Sequence, residues 1–358
     1  MTGRLKDPMW LALGALAGFA ACGAGLALDA KVMLASYLAI WFAVTAVATG
    51  ALGVMFSSYL VQGGWTQDLH APLSRAAFML PACGLLFIPL LIGMTTLYPW
   101  ASDATALTPF KAIYLTPWFF TLRTIAYFAI WSALALWAAR AFSDPNARER
   151  AASVGLIAWS LTVSFAGIDW LESTEPEFHS SIYGLLAVSF ALLAGLAFGI
   201  VAVLQRLPRR APNTTYAGVL LSTLLLWAYL HAMQYIIIWS GNIPKEVVWY
   251  QDRAAGSWGV TLWVLFLGQF VVPFFALLSE RVRRDTWALI WIAVATLILR
   301  GLEAVILVLP PLKPSALSLL LCIPAASIAI IASIALAWLA AARWLERAEL
   351  RGAPAGAD

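Results

Sequence analysis

A small set of ionisable side chains inside long apolar segments is the part of this sequence that could do chemistry. They are Arg123, Asp169, Glu172, His231, Arg300 and Glu303. A charged group within a bilayer costs roughly 2.5 kcal/mol or more, so its presence there points to a function by default. Carboxylates and an imidazole can accept and release protons, and guanidinium groups can neutralise carboxylates. The set predicts a proton path or a polar ligand site.

Spacing within the set suggests two local pairs. Arg300 and Glu303 are three residues apart, close enough to neutralise each other on one helix face. Asp169 and Glu172 have the same spacing but like charge, and crowded carboxylates favour keeping one of them protonated. Two simpler interpretations stay open. The Arg300–Glu303 pair could have no role beyond holding helices together, and Glu172 could simply be solvated at the membrane interface.

His231 is followed on the same predicted helix face by Gln234 and Tyr235, which gives a stripe of hydrogen-bond donors and acceptors. A lone histidine of this kind is also typical of a hydrogen-bonded core residue. Four predicted helices contribute polar groups at a similar depth, in the halves of the helices that face the same side of the membrane. We expect these groups to meet in one pocket, where they could pair, bind a ligand or conduct protons.

The elements that carry these residues are predicted membrane helices. A hydrocarbon core of about 30 Å takes about 20 helical residues at 1.5 Å each. Ten apolar stretches meet this length: 9–28, 32–61, 76–99, 117–139, 151–171, 181–204, 216–240, 257–279, 286–309 and 315–342. None shows the alternation of a transmembrane strand, so all are predicted helices. Prolines within or near their ends predict kinks.

Composition agrees with an all-α integral membrane protein. Hydrophobic residues make up 62% of the 358, charged residues 11%, and the mean hydropathy is +0.85. These values exclude a water-soluble globular protein. We predict one polytopic membrane domain over residues 1–350 and a disordered tail at 351–358. No connection is long enough for a soluble domain, so peripheral catalytic machinery would have to come from other chains.

The lysines and arginines predict the orientation of the helices. Of the 22, two lie inside spans, fifteen lie in the N-terminus, the even-numbered loops and the C-terminus, and five lie in the odd-numbered loops. Because basic residues favour cytoplasmic loops, both termini are predicted to be cytoplasmic. The net charge of +4 is scattered over several loops, which favours anionic lipid headgroups and does not form a nucleic-acid patch.

The chain is predicted to hold no redox centre of its own. Cys22, Cys83 and Cys322 lie singly in three apolar segments and form no metal-ligand spacing. We interpret them as small buried hydrophobic residues. A membrane haem needs two facing histidines, and only His231 of the three histidines lies well inside a span. We expect no metal, iron–sulfur cluster or haem bound to this chain.

Two stretches resemble a known family. The first runs from Asp169 to Gly184 and reads Asp-Trp-Leu-Glu-Ser-Thr-Glu-Pro-Glu-Phe-His-Ser-Ser-Ile-Tyr-Gly. The second runs from Gln234 to Trp258 and contains an Asn-Ile-Pro turn followed by spaced Trp, Tyr, Arg and Trp. Both are similar to the ActF-type membrane subunit of alternative complex III, within the NrfD and polysulfide-reductase-like membrane subunits. The motifs cover about 40 residues.

The resemblance implies two four-helix bundles, helices two to five and six to nine, flanked by helices one and ten. It implies a subunit of a quinol-oxidising respiratory complex in the bacterial cytoplasmic membrane, one that anchors peripheral subunits and conducts protons. Partners would carry iron–sulfur clusters and haem c, alongside a sister membrane subunit and a terminal oxidase. Asp169 and His231 lie in or beside the motifs. Whether quinol binds this chain or its sister subunit stays open.

Two other classes of function remain. A secondary transporter would use the same buried charges for substrate and coupling ion, commonly at mid-membrane on broken helices. A purely structural scaffold would use them only to pair with one another. The candidate site residues for all three interpretations are Arg123, Asp169, Glu172, His231, Gln234, Tyr235, Arg300 and Glu303.

Overall fold

The computed structural model describes residues 8–61, 65–103, 105, 107–206 and 213–352, with no side chains described from 342 onward. This part of the chain is helical and contains no β-strand. The helices are α1 (Pro8–Leu60), α2 (Trp65–Ala77), α3 (Leu80–Leu85), α4 (Ile88–Ile92), α5 (Met94–Leu97), α6 (Pro99–Ser102), α7 (Pro109–Tyr114), α8 (Pro117–Ala141), α9 (Pro145–Trp170), α10 (Tyr183–Arg206), α11 (Asn213–Gly241), α12 (Pro244–Ala254), α13 (Gly256–Phe266), α14 (Val272–Leu278), α15 (Glu280–Arg284), α16 (Thr286–Val308) and α17 (Ala316–Gly352).

Nine helical segments in the described residues are long and apolar enough to cross a membrane, which is compatible with a multi-pass membrane protein. Predicted spans 117–139, 181–204, 216–240, 257–279 and 286–309 each match one of these segments to within three residues at both ends. Hydropathy locates these helices well because each is bounded by polar residues or by proline.

Helix α1 contains both of the first two predicted spans, 9–28 and 32–61, and changes direction between them. Asp29 has φ −156° and ψ 94°, which is extended backbone. Its carboxylate accepts a hydrogen bond from the Val32 amide at 3.0 Å, so it caps the second limb. The Met33 side chain lies beside Gly25, although eight residues of straight helix would separate them by about 12 Å. The chain therefore folds back at Asp29 into two limbs.

The third predicted span, 76–99, is not one continuous helix. The helical segment that could cross a membrane runs from Trp65 to Ile92 and is divided into short helices. Pro81 and Pro89 lie at the starts of α3 and α4. Proline has no amide hydrogen to continue the helical ladder and clashes with the preceding turn, so each one ends the helix before it. The kinks expected there are breaks.

The fifth and tenth predicted spans extend further than hydropathy indicates. Helix α9 begins at Pro145, six residues before the predicted 151, because Asp144 accepts a hydrogen bond from the Asn146 amide and caps a polar first turn. Helix α17 continues to Gly352. Two residues of the tail predicted to be disordered therefore belong to this helix, and 353–358 lie outside the described residues.

The second limb of α1 and helix α10 cross at the centre of the molecule with their backbones in contact. A Cβ atom added at Gly195 would lie 2.2 Å from the carbonyl carbon of Gly50. Only glycine permits so close an approach, which is a common device between membrane helices. Helices α9 and α16 pack on either side of this crossing.

The connections gather at two opposite ends of the helices. At one end, Arg253 of α12 contacts Glu175 and the Leu307 carbonyl near the end of α16, and Lys111 donates to the Pro176 carbonyl. We call this end the α12 face; it comprises 109–115, 171–182 and 242–255. At the other end, the start of α11 meets the start of α16 through an Asn213–Thr286 hydrogen bond.

Candidate functional site

The buried charges form two separate networks, and the first one joins α8 to α9. Arg123 donates from Nε and Nη2 to the two oxygens of Asp169, at 2.8 and 2.9 Å. The Tyr127 hydroxyl donates to the same carboxylate at 2.7 Å. The third guanidinium nitrogen donates to the Tyr114 carbonyl at 2.8 Å. Every nitrogen of Arg123 is thus hydrogen-bonded, in the two-pronged geometry that suits a carboxylate.

Aromatic rings enclose this first network. The Arg123 guanidinium carbon lies 3.8 Å from the centre of the Tyr114 ring and 4.4 Å from that of Phe119. Trp170, next to Asp169, donates to the Thr124 hydroxyl at 3.1 Å. Asp169 is fully buried. Because its charge is neutralised and its oxygens are satisfied, the first network has the composition of a structural ion pair.

The second network joins α11 to α16 around Glu303. One oxygen of this carboxylate, Oε1, accepts a hydrogen bond from Trp227 Nε1 at 3.1 Å and lies 2.9 Å from His231 Nε2. The other oxygen forms an ion pair with Nη1 of Arg300. The Glu303 side chain is 3% exposed, whereas that of His231 is 30% exposed. A titratable imidazole therefore connects a buried carboxylate with its surroundings.

Arg300 is less well satisfied than Arg123. Its side chain is 1% exposed, it faces the rings of Trp227 and Phe190 at 4.7 and 5.1 Å, and none of its guanidinium nitrogens makes a hydrogen bond to a described residue. The buried Gln234 Oε1 has no hydrogen-bond partner among the described residues either. Buried polar groups are normally satisfied by protein or by water. The second network therefore has unused hydrogen-bonding capacity.

A small cavity adjoins this second network. Its polar lining comes from His231, Gln234 and Glu303, and Tyr183 and Trp249 contribute to the wall. The free volume is about 10 Å³, which is room for about one water molecule. A quinol ring does not fit in it.

Arg253 of the α12 face packs against two residues of this cavity's wall, Trp249 and Leu307. The Arg253 side chain is 1% exposed and stacks on Trp249, with its guanidinium carbon 3.7 Å from the ring centre. It donates to the carbonyls of Trp249 and Leu307 at 2.9 and 2.6 Å and to Glu175 Oε1 at 2.7 Å. Burial raises the pKa of Glu175 above its usual value, and the charge of Arg253 opposes that rise.

A larger cavity of about 450 Å³ lies between α7, the end of α9 and the loop after it. Its polar lining includes Lys111, Glu172 and His179, and Phe110 and Phe165 supply apolar walls. Glu172 accepts a hydrogen bond from the Ser180 amide at 2.9 Å. Burial lowers the pKa of Lys111, an effect that the charge of Glu172 opposes. The cavity has the size and the mixed lining of a small-molecule site.

The predicted coupling of Asp169 with Glu172 is wrong. Helix α9 ends at Trp170, and Glu172 lies in the short 3₁₀ turn Glu172–Thr174 that follows it. Asp169 pairs with Arg123, whereas Glu172 lines the cavity beside Lys111. Spacing of three residues brings side chains together only while the helix continues.

The predicted pairing of Arg300 with Glu303 is confirmed. No hydrogen bond or ion pair between described residues joins the Arg123–Asp169 network to the Glu303 network, so the single pocket predicted from the sequence stays a prediction. The polar stripe on α11 is confirmed in part. Gln234 is buried beside His231, but Tyr235 is 51% exposed and its ring contacts that of Tyr250.

Sequence reasoning missed several residues of the two networks. Tyr127 and Trp227 are aromatic residues within apolar segments, where such residues are common. Nothing in the adjacent sequence indicates that they donate hydrogen bonds to a carboxylate. Arg253 lies within the second resembling stretch, so its position there could have pointed to it. Cys22, Cys83 and Cys322 are buried and free, as predicted. No group of three or more potential metal ligands occurs among the residues described.

Comparisons with protein-family models and with curated proteins find no match to this chain. The class that the fold defines is therefore a helical protein compatible with multiple membrane crossings. Its function has to be argued from the two networks and the α12 face.

Proposed function

We propose that this chain is an integral-membrane subunit of a respiratory quinol-oxidising complex like alternative complex III, in which it anchors peripheral redox subunits and conducts protons. It holds no redox centre in this proposal; iron–sulfur clusters and haem c belong to partner subunits. The membrane is the bacterial cytoplasmic membrane. The resemblance of the Asp169–Gly184 and Gln234–Trp258 stretches supports the assignment to this class.

The observation that carries the proton-conducting part is the Glu303 network. The buried Glu303 carboxylate is paired with the His231 imidazole, which is 30% exposed. Neighbouring polar atoms have no hydrogen-bond partner among the described residues. Histidine changes charge near neutral pH and carboxylates accept protons when an imidazole releases them. The Arg123–Asp169 network lacks such spare capacity, so we assign it to helix packing.

The quinol part of the proposal rests on the cavity between α7 and α9. Its volume of about 450 Å³ would accommodate a quinol ring, whereas the cavity beside Glu303 would not. A quinol would supply two electrons and two protons when oxidised. Glu172 and His179 would accept hydrogen bonds from its hydroxyl groups, and Phe110 and Phe165 would contact its ring.

The anchoring part rests on the α12 face, which carries both resembling stretches. Arg253, Trp249 and Glu175 fix α12 against the ends of α9 and α16, which makes a rigid surface for peripheral subunits. We infer ten membrane crossings, counting both limbs of α1. We also infer that the α12 face is extracytoplasmic and that both termini are cytoplasmic, since basic residues are concentrated at the opposite end.

The two predicted four-helix bundles, helices two to five and six to nine, fit the packing around the central crossing. The second limb of α1 contacts α2, α8 and α9, and α10 contacts α11 and α16. The first limb of α1 and α17 pack against each other at the outside of this arrangement, as flanking helices one and ten would.

The proposal is tested by quinol-dependent turnover of the complex isolated with this chain. We expect Glu303→Gln, His231→Ala and Glu172→Gln to lower turnover while the partner subunits still copurify. Glu177→Gln is the matched control, because Glu177 is a nearby carboxyl on the same face that is 63% exposed. Wild-type turnover in all three variants, or the absence of redox subunits from the isolated complex, would refute the proposal.

A secondary transporter is the second candidate, favoured by helix interruptions. The segment Trp65–Ile92 is broken, and a π-helical turn over Leu267–Val271 precedes Pro273 in the segment Gly256–Leu278. In transporter folds, such interruptions occupy corresponding positions of two repeats. Here one lies in the second helix of its predicted bundle and the other in the third. Substrate uptake by the chain alone in liposomes would favour the transporter.

A further inference from the structure

A residue that lines the cavity beside Glu303 has a buried polar atom with no hydrogen-bond partner. Gln234 is 1% exposed, it lines the cavity, and its Oε1 makes no hydrogen bond to a described residue. The polar residues His231, Glu303 and Tyr183 line the same space. A buried water needs about two to four polar partners and about 10–15 Å³. The cavity provides both, so a water molecule suits it well.

The cavity and the α12 face share the same structural elements. Trp249 and Leu307 form part of the cavity wall, and their carbonyl oxygens are the acceptors for Arg253. The hydroxyl of Tyr183, another wall residue, lies within electrostatic range of both Glu303 and Arg253. Arg253 therefore packs against two residues of the cavity wall.

Beyond Arg253 the structure opens. Glu175, which accepts a hydrogen bond from Arg253, also lines a recess of about 400 Å³ on the α12 face together with Glu177, Lys245 and Trp249. The Glu177 and Lys245 side chains there are 63% and 69% exposed. The recess is thus accessible to solvent, and Trp249 lines both the recess and the cavity.

We propose that an outlet for water and protons leads from Glu303 through the Gln234 cavity to the recess on the α12 face, and that the Arg253–Glu175 ion pair closes its outer end. A proton that leaves Glu303 or His231 passes to the cavity water and then to water in the recess; no electron moves. This inference deepens the proposed proton conduction and rests on it for its physiological role, but water access is measurable without turnover.

The outlet is tested by thiol labelling of the full-length chain in membranes. Gln234→Cys is treated with a small, membrane-impermeant, cationic methanethiosulfonate added to the side of the α12 face. We expect slow modification, because the reagent can reach this position only while the Arg253–Glu175 ion pair is open and because the cysteine side chain is shorter than that of glutamine. Ile238→Cys is the control, since Ile238 is one turn closer to the α12 face, 2% exposed, and outside the cavity lining. The wild-type chain, whose three cysteines are buried, gives the background.

The closing role of the ion pair is tested on the same background. Glu175→Gln removes the charge that holds Arg253, so we expect labelling of Gln234→Cys to accelerate by about tenfold, which corresponds to about 1.4 kcal/mol. Glu246→Gln should leave the rate unchanged, because Glu246 is on the same face but does not line the recess. Tyr183→Cys on the facing helix is a second probe if Gln234→Cys fails to accumulate in the membrane.

The outcomes separate this inference from the proposed function. The outlet is refuted if Gln234→Cys and Tyr183→Cys label no faster than Ile238→Cys, or if Glu175→Gln and Glu246→Gln have equal effects. If labelling follows the expected pattern but Glu303→Gln has normal quinol turnover, the outlet stands and the respiratory proposal fails. If turnover falls in Glu303→Gln without accelerated labelling in Glu175→Gln, the proposed function stands and the ion pair is not the closure.

Discussion

Arg123 and Asp169 face each other across α8 and α9 and are joined by two hydrogen bonds of 2.8 and 2.9 Å. The carboxylate is fully buried and the Arg123 side chain is 10% exposed. Breaking a buried pair by removing one charge leaves the other uncompensated, which is costly. In the first network the charged groups have all their hydrogen bonds, whereas the Glu303 network contains buried polar atoms that have no hydrogen-bond partner among the described residues.

Asp169→Asn should therefore destabilise the folded chain by about 3–5 kcal/mol, because Arg123 would stay charged in a buried site. Unfolding can be followed in detergent with a thiol-reactive fluorescent dye, since all three cysteines are buried until the protein unfolds. Adding Arg123→Gln to Asp169→Asn should recover part of the loss. If Asp169→Asn unfolds at the wild-type temperature, the pair does not stabilise the helices.

Tyr127→Phe removes one hydrogen bond to the Asp169 carboxylate and should cost about 1.5–3 kcal/mol. The same dye assay measures it. Tyr229→Phe is the matched control, because Tyr229 is on a membrane helix but 57% exposed. In the background of Asp169→Asn the effect of Tyr127→Phe should shrink, since the charged acceptor is gone. Full additivity of the two substitutions would contradict the hydrogen bond.

Gly195→Ala should push α10 away from the second limb of α1, because the added methyl would lie 2.2 Å from the Gly50 carbonyl carbon. Overpacking of this kind typically costs about 1–3 kcal/mol. Gly218→Ala, which meets nothing within 4 Å, should be neutral or stabilising by up to about 1 kcal/mol. Thermal unfolding of both variants, side by side, checks the difference. Equal unfolding temperatures would exclude the backbone contact as a packing constraint.

Glu175 should make stability depend on pH. Because burial raises the pKa of this carboxyl above 4.5, the folded state favours its neutral form. Its contribution to stability is thus greatest below the unfolded pKa and declines as pH rises through the folded pKa. We therefore compare the unfolding temperature of the wild type with that of Glu175→Gln. The wild-type value minus the variant value should decrease as pH rises from about 4.5. Fluorescence of the 18 tryptophans reports the unfolding. A constant difference would contradict the raised pKa.

The sequence determined where most helices lie and which charged residues lie inside apolar segments. Hydropathy located α8, α10, α11 and α16, since bilayer thickness fixes the length of an apolar run. The pairing of Arg300 with Glu303 followed from helical spacing alone. These features depend on a few neighbouring residues, so a pattern within one segment is enough to predict them.

Only the tertiary structure decided which charges meet. Arg123 finds Asp169 46 residues away and His231 finds Glu303 72 residues away, and such pairings depend on how helices pack, which spacing does not encode. The backbone decided the rest: α9 ends at Trp170, so Asp169 and Glu172 separate, and α1 folds back at Asp29. Arg253 contacts the Leu307 carbonyl only because α12 lies against the end of α16.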